Sequence, residues 1–147
     1  GHTDISGKYS PTFQDTPCNR AQEALCTFRS AMAGAGLVDR LPEKLIDAGA
    51  SVAGCGPAFV DLFVEALADG GVACGLPRAQ AMEFAAQMVL GSAKLILESK
   101  KHPGQLKDEV CSPGGTTIEG VAALQDNGFD AAVIKAVEAS YNKDKKM

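Results

Sequence analysis

The chain has 147 residues, enough for one domain with room for an arm, and its 46% apolar and 22% charged residues exclude disorder by composition. A net charge of −4 gives it no general electrostatic hold on nucleic acid or on an anionic membrane, and with no Trp, two Tyr and six Phe its core must be small and aliphatic. Five cysteines without a Cys-x-x-Cys spacing and only two histidines, His2 and His102, argue against a disulfide framework and a zinc site, and point to reduced thiols in the cytoplasm.

Gly1-His2, with no initiator Met, reads as the remnant of a cleaved tag, and residues 1–17 as a mobile arm or short extended segment rich in Thr, Ser, Pro, Asp and Gly. Arg20 to Ala33 has helical apolar spacing at Ala21, Ala24, Leu25, Phe28 and Met32, and Gly34 and Gly36 stop it. Leu37 to Leu41 suits a short strand, which would need a partner that the rest of the sequence does not supply. From Pro42 onward the chain reads helical: Glu43 to Ala53, Pro57 to about Val72, Pro77 to Ser99, a short helix after His102-Pro103-Gly104 to about Val110, Thr117 to Gln125, and Phe129 to Tyr141.

The helix from Pro57 is apolar around most of its circumference and is expected to be central and buried. The one after Pro77 carries Ala85, Ala86, Gly91, Ser92 and Ala93, small residues that let another helix approach closely. Several helices are apolar on more than one face, while the chain offers little interior to hide them. That points to an obligate oligomer; the alternative is a compact monomeric bundle around one central helix. No apolar stretch reaches the length of a membrane span; the best, Met88 to Leu97, is short and contains Lys94. The basic run Lys143 to Lys146 reads as a solvated helix end.

The most informative stretch is Ser112-Pro113-Gly114-Gly115-Thr116-Thr117-Ile118-Glu119-Gly120. Two glycines admit a ligand close to the backbone, and the following helix start offers unpaired N–H groups and the positive end of its dipole. Ser112, Thr116 and Thr117 add hydroxyls, and with no Lys or Arg in the loop the matching anion is a small carboxylate. The same residues also fit plain turn chemistry, with Thr116-x-x-Glu119 as a capping box. Gly54-Cys55-Gly56-Pro57 is a second break before a helix; it is not a dinucleotide fingerprint, and Cys55 is better read as structural. Glu65 and Asp69 share a helix face and are read as solvation, with no catalytic role.

Taken in order, Gly54-Cys55-Gly56-Pro57-Ala58-Phe59, Glu65-Ala66-Leu67-Ala68-Asp69-Gly70-Gly71-Val72, Gly75-Leu76-Pro77-Arg78, Leu106-Lys107-Asp108 and Ser112-Pro113-Gly114-Gly115-Thr116-Thr117-Ile118 closely resemble the C-terminal half of pyrroline-5-carboxylate reductase. The resemblance runs over residues 43–142 and extends through Ala131 to Ala139; Ala21 to Leu41 is more faintly similar to the last helix and strand of that family's nucleotide-binding domain. It implies two parts: residues 1–41, an arm with a remnant of that domain, and residues 42–147, a helical dimerisation and substrate-binding domain. The implied fold is all-α, a bundle of the 6-phosphogluconate-dehydrogenase C-terminal-like type, interleaved with a partner subunit in a homodimer that can assemble further.

The family reduces 1-pyrroline-5-carboxylate to proline with NADPH or NADH. The resemblance implies that Ser112 and the N–H groups of Gly115, Thr116 and Thr117, with Gly114 in the same loop, hold the carboxylate of this cyclic amino acid. It implies too that Thr117 lies near the ring nitrogen and is catalytic. Cys55 and Phe59 stand where the family has Ser and Tyr, and Glu109 where some members have Asn. No Gly-x-Gly-x-x-Gly follows a strand, so NADP(H) or NAD(H) is expected to have no site on this chain, which is then expected to be inactive alone. Two readings remain: a fragment or truncated relative of the enzyme, or a non-catalytic helical oligomerisation module descended from it.

Overall fold

A computed structural model describes residues 17–32, 34 and 36–146. The expected arm, the tag-like start and the end of the first helix at Ala33 lie, apart from Pro17, outside the described residues. Among those described there are seven α-helices, one 3₁₀ turn and no strand. The chain divides into two units, Gly1–Leu41 and Pro42–Met147.

In the first unit, α1 spans Pro17–Met32. Arg29 in its last turn donates from Nε to the Val38 carbonyl at 3.1 Å and pairs with Asp39 at 2.6 Å. Leu37 to Leu41 does not form the expected strand. No second strand is described to pair with it, and Leu37 is almost fully exposed.

The second unit begins with a 3₁₀ turn, Glu43–Leu45, where a regular helical turn was expected; the Leu45 N–H donates to Pro42 O at 2.8 Å. Helix α2 follows over Ile46–Ala53. Its end is tight: Gly54 and Cys55 N–H both reach the Ala50 carbonyl, at 2.7 and 3.1 Å, and a Cβ on Gly54 would lie 2.8 Å from that oxygen. Helix α3 spans Gly56–Ala73, with Pro57 in its first turn. It ends in a Schellman motif: Leu76 N–H bonds Gly71 O at 3.0 Å and Gly75 N–H bonds Val72 O at 2.9 Å, with Gly75 at φ +102°.

That motif folds α4, Arg78–Ser99, back along α3, their principal packing partner being each other. Ala68, Ala81 and Ala85 are the buried apolar residues among those described. A Cβ on Gly71 would lie 3.3 Å from the Ala81 Cβ, so the seam is a close backbone approach. Asp69 on α3 pairs with Arg78 at the start of α4. Helix α5 is Pro103–Val110, α6 is Thr116–Asp126 and α7 is Phe129–Asp144. Helix α7 packs on α2 and touches α3, where Phe63 and Phe129 rings stand 5.6 Å apart. The basic tail is a helix end, as expected, with Lys145 Nζ 4.4 Å over the Tyr141 ring.

Two expectations need correction. Helix α3 is central, touching α2, α4 and α7, yet of its residues Ala68 alone is buried, and Leu62 is 68% exposed. Its apolar circumference exceeds what the described helices cover. Further, the helical run Glu43–Ala73 is long and apolar enough to cross a membrane. Polar residues spread through it leave no uninterrupted apolar stretch in the sequence. The run breaks at Gly54-Cys55, and α3 carries Asp61, Glu65 and Asp69 along one stripe.

Candidate functional site

Helix α5 ends at Val110, and the Cys111 N–H closes it by donating to Asp108 O at 3.1 Å. Ser112-Pro113-Gly114-Gly115 then makes a β-turn, with Gly115 N–H donating to Ser112 O at 3.0 Å. Pro113 takes the second position and Gly114, at φ +65°, the third, the pattern of a type II turn. Gly115 serves a different need. It is extended, at φ −80° and ψ 166°, and a Cβ there would collide with Ser112 Oγ. The Ser112 hydroxyl therefore lies against the backbone at the start of α6.

Gly115 is the N-cap of α6, and no side chain caps it. The capping box expected from Thr116 and Glu119 is not formed. Thr116 is the first helical residue, one position too late to cap, and Glu119 falls a position too deep. The N–H groups of Thr116, Thr117 and Ile118 consequently have no acceptor within the helix. Gly115 N–H, expected among the free donors, is engaged in the turn. The five expected residues, Ser112, Gly114, Gly115, Thr116 and Thr117, fall on one turn and one helix start. Ser112, Thr116 and Thr117 are exposed. Such a cup, with partial positive charge and hydroxyl donors, suits a single carboxylate.

The other candidates lie elsewhere. Cys55 is the exposed N-cap of α3. Glu65, with Asp61, lines a shallow groove between α3 and α4 that Leu62 and Met82 share. Among the described residues no group of three or more potential metal ligands occurs.

Sequence reading missed a polar cluster that ties down α5. Lys101 Nζ reaches both carboxylate oxygens of Glu109, at 2.7 and 3.0 Å, and Gln105 Nε2 donates to the same carboxylate at 3.1 Å. The hydrogen bond from Lys101 holds the Glu109 carboxyl below its ordinary range. His102 Nδ1 accepts the Gly104 N–H at 3.1 Å and caps the helix start. Beside the loop, the hydrogen bond to Asp108 raises the Lys107 ammonium above its usual value. The i, i+4 spacing of Gln105 and Glu109 was visible in sequence, but the turn that returns Lys101 to them was not.

Residues 43–147 match the family described as pyrroline-5-carboxylate reductase dimerisation. The chain belongs to that family. It is 50% identical over 125 residues to pyrroline-5-carboxylate reductase of Synechocystis, covering 85% of this chain and 47% of that protein. With the Escherichia coli pyrroline-5-carboxylate reductase it shares 52% over 112 residues, covering 76% of this chain and 42% of that one. The crystal structure of the Streptococcus pyogenes 1-pyrroline-5-carboxylate reductase superposes with a TM-score of 0.78 at 38% identity, over 86% of this chain and 49% of that one. A Plasmodium falciparum pyrroline carboxylate reductase solved with NADP bound gives 0.75 at 34% identity, over 91% and 52%. The chain thus spans about half the length, or less, of the relatives it matches.

Proposed function

We propose that this chain is the dimerising and substrate-holding part of a pyrroline-5-carboxylate reductase, which reduces 1-pyrroline-5-carboxylate to proline. The observation that carries the reading is the uncapped start of α6, with the Ser112 hydroxyl lying against Gly115 beside it. Ser112 Oγ and the N–H groups of Thr116 and Thr117 receive the substrate carboxylate, Gly114 and Gly115 shape the turn, and the Ile118 N–H adds a third backbone donor. The Thr117 hydroxyl stands by the ring nitrogen, where a proton must arrive as the C=N bond is reduced.

NADPH or NADH supplies the hydride in such an enzyme. The described residues do not fit that dinucleotide, for they contain no strand and no glycine-rich strand-to-helix turn to take a pyrophosphate. No hydride step is therefore assigned to them. Residues 1–41 would then belong with a nucleotide-binding domain and residues 42–147 with dimerisation. The exposed apolar faces of α3 and α4 are the reason to expect a homodimer, or a larger ring built from it. Cys26, Cys55, Cys74 and Cys111 are free thiols, which favours a reducing cytoplasmic setting.

Titration of the chain with proline, followed by amide chemical shifts, tests the site. Binding should be weak, with a Kd on the order of millimolar, and the shifts should centre on Ser112 to Ile118. Absence of any response there would leave the oligomerisation module as the better reading. In a full-length reductase carrying this segment, Thr117→Ala keeps its backbone N–H and loses its hydroxyl. Turnover should fall by about 10²-fold with little change in carboxylate affinity; an unchanged turnover number, with chemistry rate-limiting, removes Thr117 from the reaction.

A further inference from the structure

The loop that carries the carboxylate site hangs on α5, and α5 has little else to hold it. Gly104 and Leu106 are half-buried and its other residues are exposed, and among the described residues it packs extensively on no other helix. Its attachment is to the three residues that follow α4. Lys100 turns the chain in a left-handed conformation, at φ 59°. The Ser99 hydroxyl accepts the Lys101 N–H at 3.3 Å. His102 caps the first turn of α5, and Lys101 grips Glu109 in its last turn.

The placement of these charges is informative. A carboxylate in the last turn of a helix opposes the helix dipole, and an ammonium ahead of the first turn does too. Helix α5 has both, Glu109 and Lys101, and the two meet at hydrogen-bond distance over eight residues of sequence. Exposed ion pairs contribute little as a class, but here one ammonium meets both carboxylate oxygens and Gln105 adds a third bond. Glu109 stands three residues before Ser112, and the Cys111 N–H to Asp108 O bond links that helical turn to the loop.

We propose that Lys101 and Glu109 are positioning residues: their ion pair, completed by Gln105, clamps α5 to the exit of α4 and so sets the Ser112 to Thr117 turn for carboxylate capture. The capture half of this statement rests on the function proposed above; the clamp does not.

The two can be separated in one set of samples. Amide hydrogen exchange is measured on the chain with Glu109→Gln, Lys101→Met and the conservative Lys101→Arg, and each is titrated with proline. The dipole alone predicts that the first two tighten α5, because each removes an unfavourable charge. The clamp predicts the opposite sign: exchange at α5 and at the Gly115 amide rises by about fivefold or more, while the α3–α4 seam is unmoved. Proline affinity should fall by about threefold to tenfold in the same two variants, and Lys101→Arg should behave as the parent. Unchanged or slower exchange in Glu109→Gln and Lys101→Met overturns the clamp, whatever proline does. Faster exchange in a chain that binds no proline upholds the clamp and overturns the carboxylate reading instead.

Discussion

The two halves of α4 are made of similar residues and end in opposite environments. Between Arg78 and Val89, Ala81 and Ala85 are buried, Ala81 against Gly71 of α3; from Leu90 to Glu98 every residue is exposed, including Leu90, Leu95, Ile96 and Leu97. Composition does not distinguish them, since Gly91, Ser92 and Ala93 in the second half are as small as the alanines of the first. Among the described residues, only the first half has members that are buried. A run of aliphatic side chains left in water at that length is the surface the proposed homodimer would bury, and the small residues among them would allow the second chain to come close.

The comparison can be broken most directly in the second half. Leu95→Asp with Leu97→Asp should separate the proposed dimer, weakening association by at least about 100-fold, while the α3–α4 seam persists. Sedimentation at low micromolar concentration should move from twice the chain mass to once. A parent chain that is already a stable monomer there would end the dimer reading.

In the first half the expected effect is smaller and falls on folding instead. Ala85→Leu places a branched side chain in the seam and should cost about 1–3 kcal/mol by denaturant unfolding. The same change at Ala93 should leave the α3–α4 seam almost unchanged and act on association of the chains instead. Equal costs at the two sites would mean that the halves are not different after all.

At the far end of the exposed half, Lys100 adopts a left-handed backbone, the one non-glycine residue to do so among those described. Lys100→Gly should stabilise by about 0.5–1 kcal/mol, the relief of the Cβ clash exceeding the added freedom of the unfolded chain. A thermal melt raised by a few degrees would show it.

The smallest effect is electrostatic. Glu109 is depressed below its ordinary value of 4.5 by the Lys101 hydrogen bond. A carboxyl lowered in the folded state contributes fully above its unfolded value and loses that contribution as the pH falls through the lowered one. The stability difference between parent and Glu109→Gln should therefore be flat at neutral pH and vanish only in acid. A difference that instead disappeared between pH 6 and 8 would implicate some other group.

Most helix boundaries were legible because glycine and proline mark them. Pro57 and Gly75 bracket α3, Gly128 at φ +73° separates α6 from α7, and each acts through backbone geometry that does not depend on the rest of the fold. The first turn after Pro42 is 3₁₀ where the sequence suits an α-helical turn, because the two share the same spacing over three residues. The strand at Leu37 to Leu41 failed because alternation is only half of a strand; the other half is a neighbour. Within the loop, residue types were enough to single out Ser112, Gly114, Gly115, Thr116 and Thr117 as candidates. They could not show that Gly115 spends its N–H on Ser112, which follows from the turn type and moves the free donors one residue along. The Lys101–Glu109 pair was illegible because its partners meet only after a left-handed turn at a residue that seldom makes one.

The Schellman turn at Cys74 to Leu76 has a consequence for the order of events during folding. It joins α3 and α4 through a few residues, so their pairing closes a short loop and can form early, from local contacts. Assembly of two chains is a bimolecular step and waits on concentration. Between the two, the newly made hairpin presents Leu90, Leu95 and Leu97 to solvent with nothing yet to cover them. At low chain concentration that interval lengthens, and the yield of soluble protein should depend on how quickly each hairpin meets its first partner.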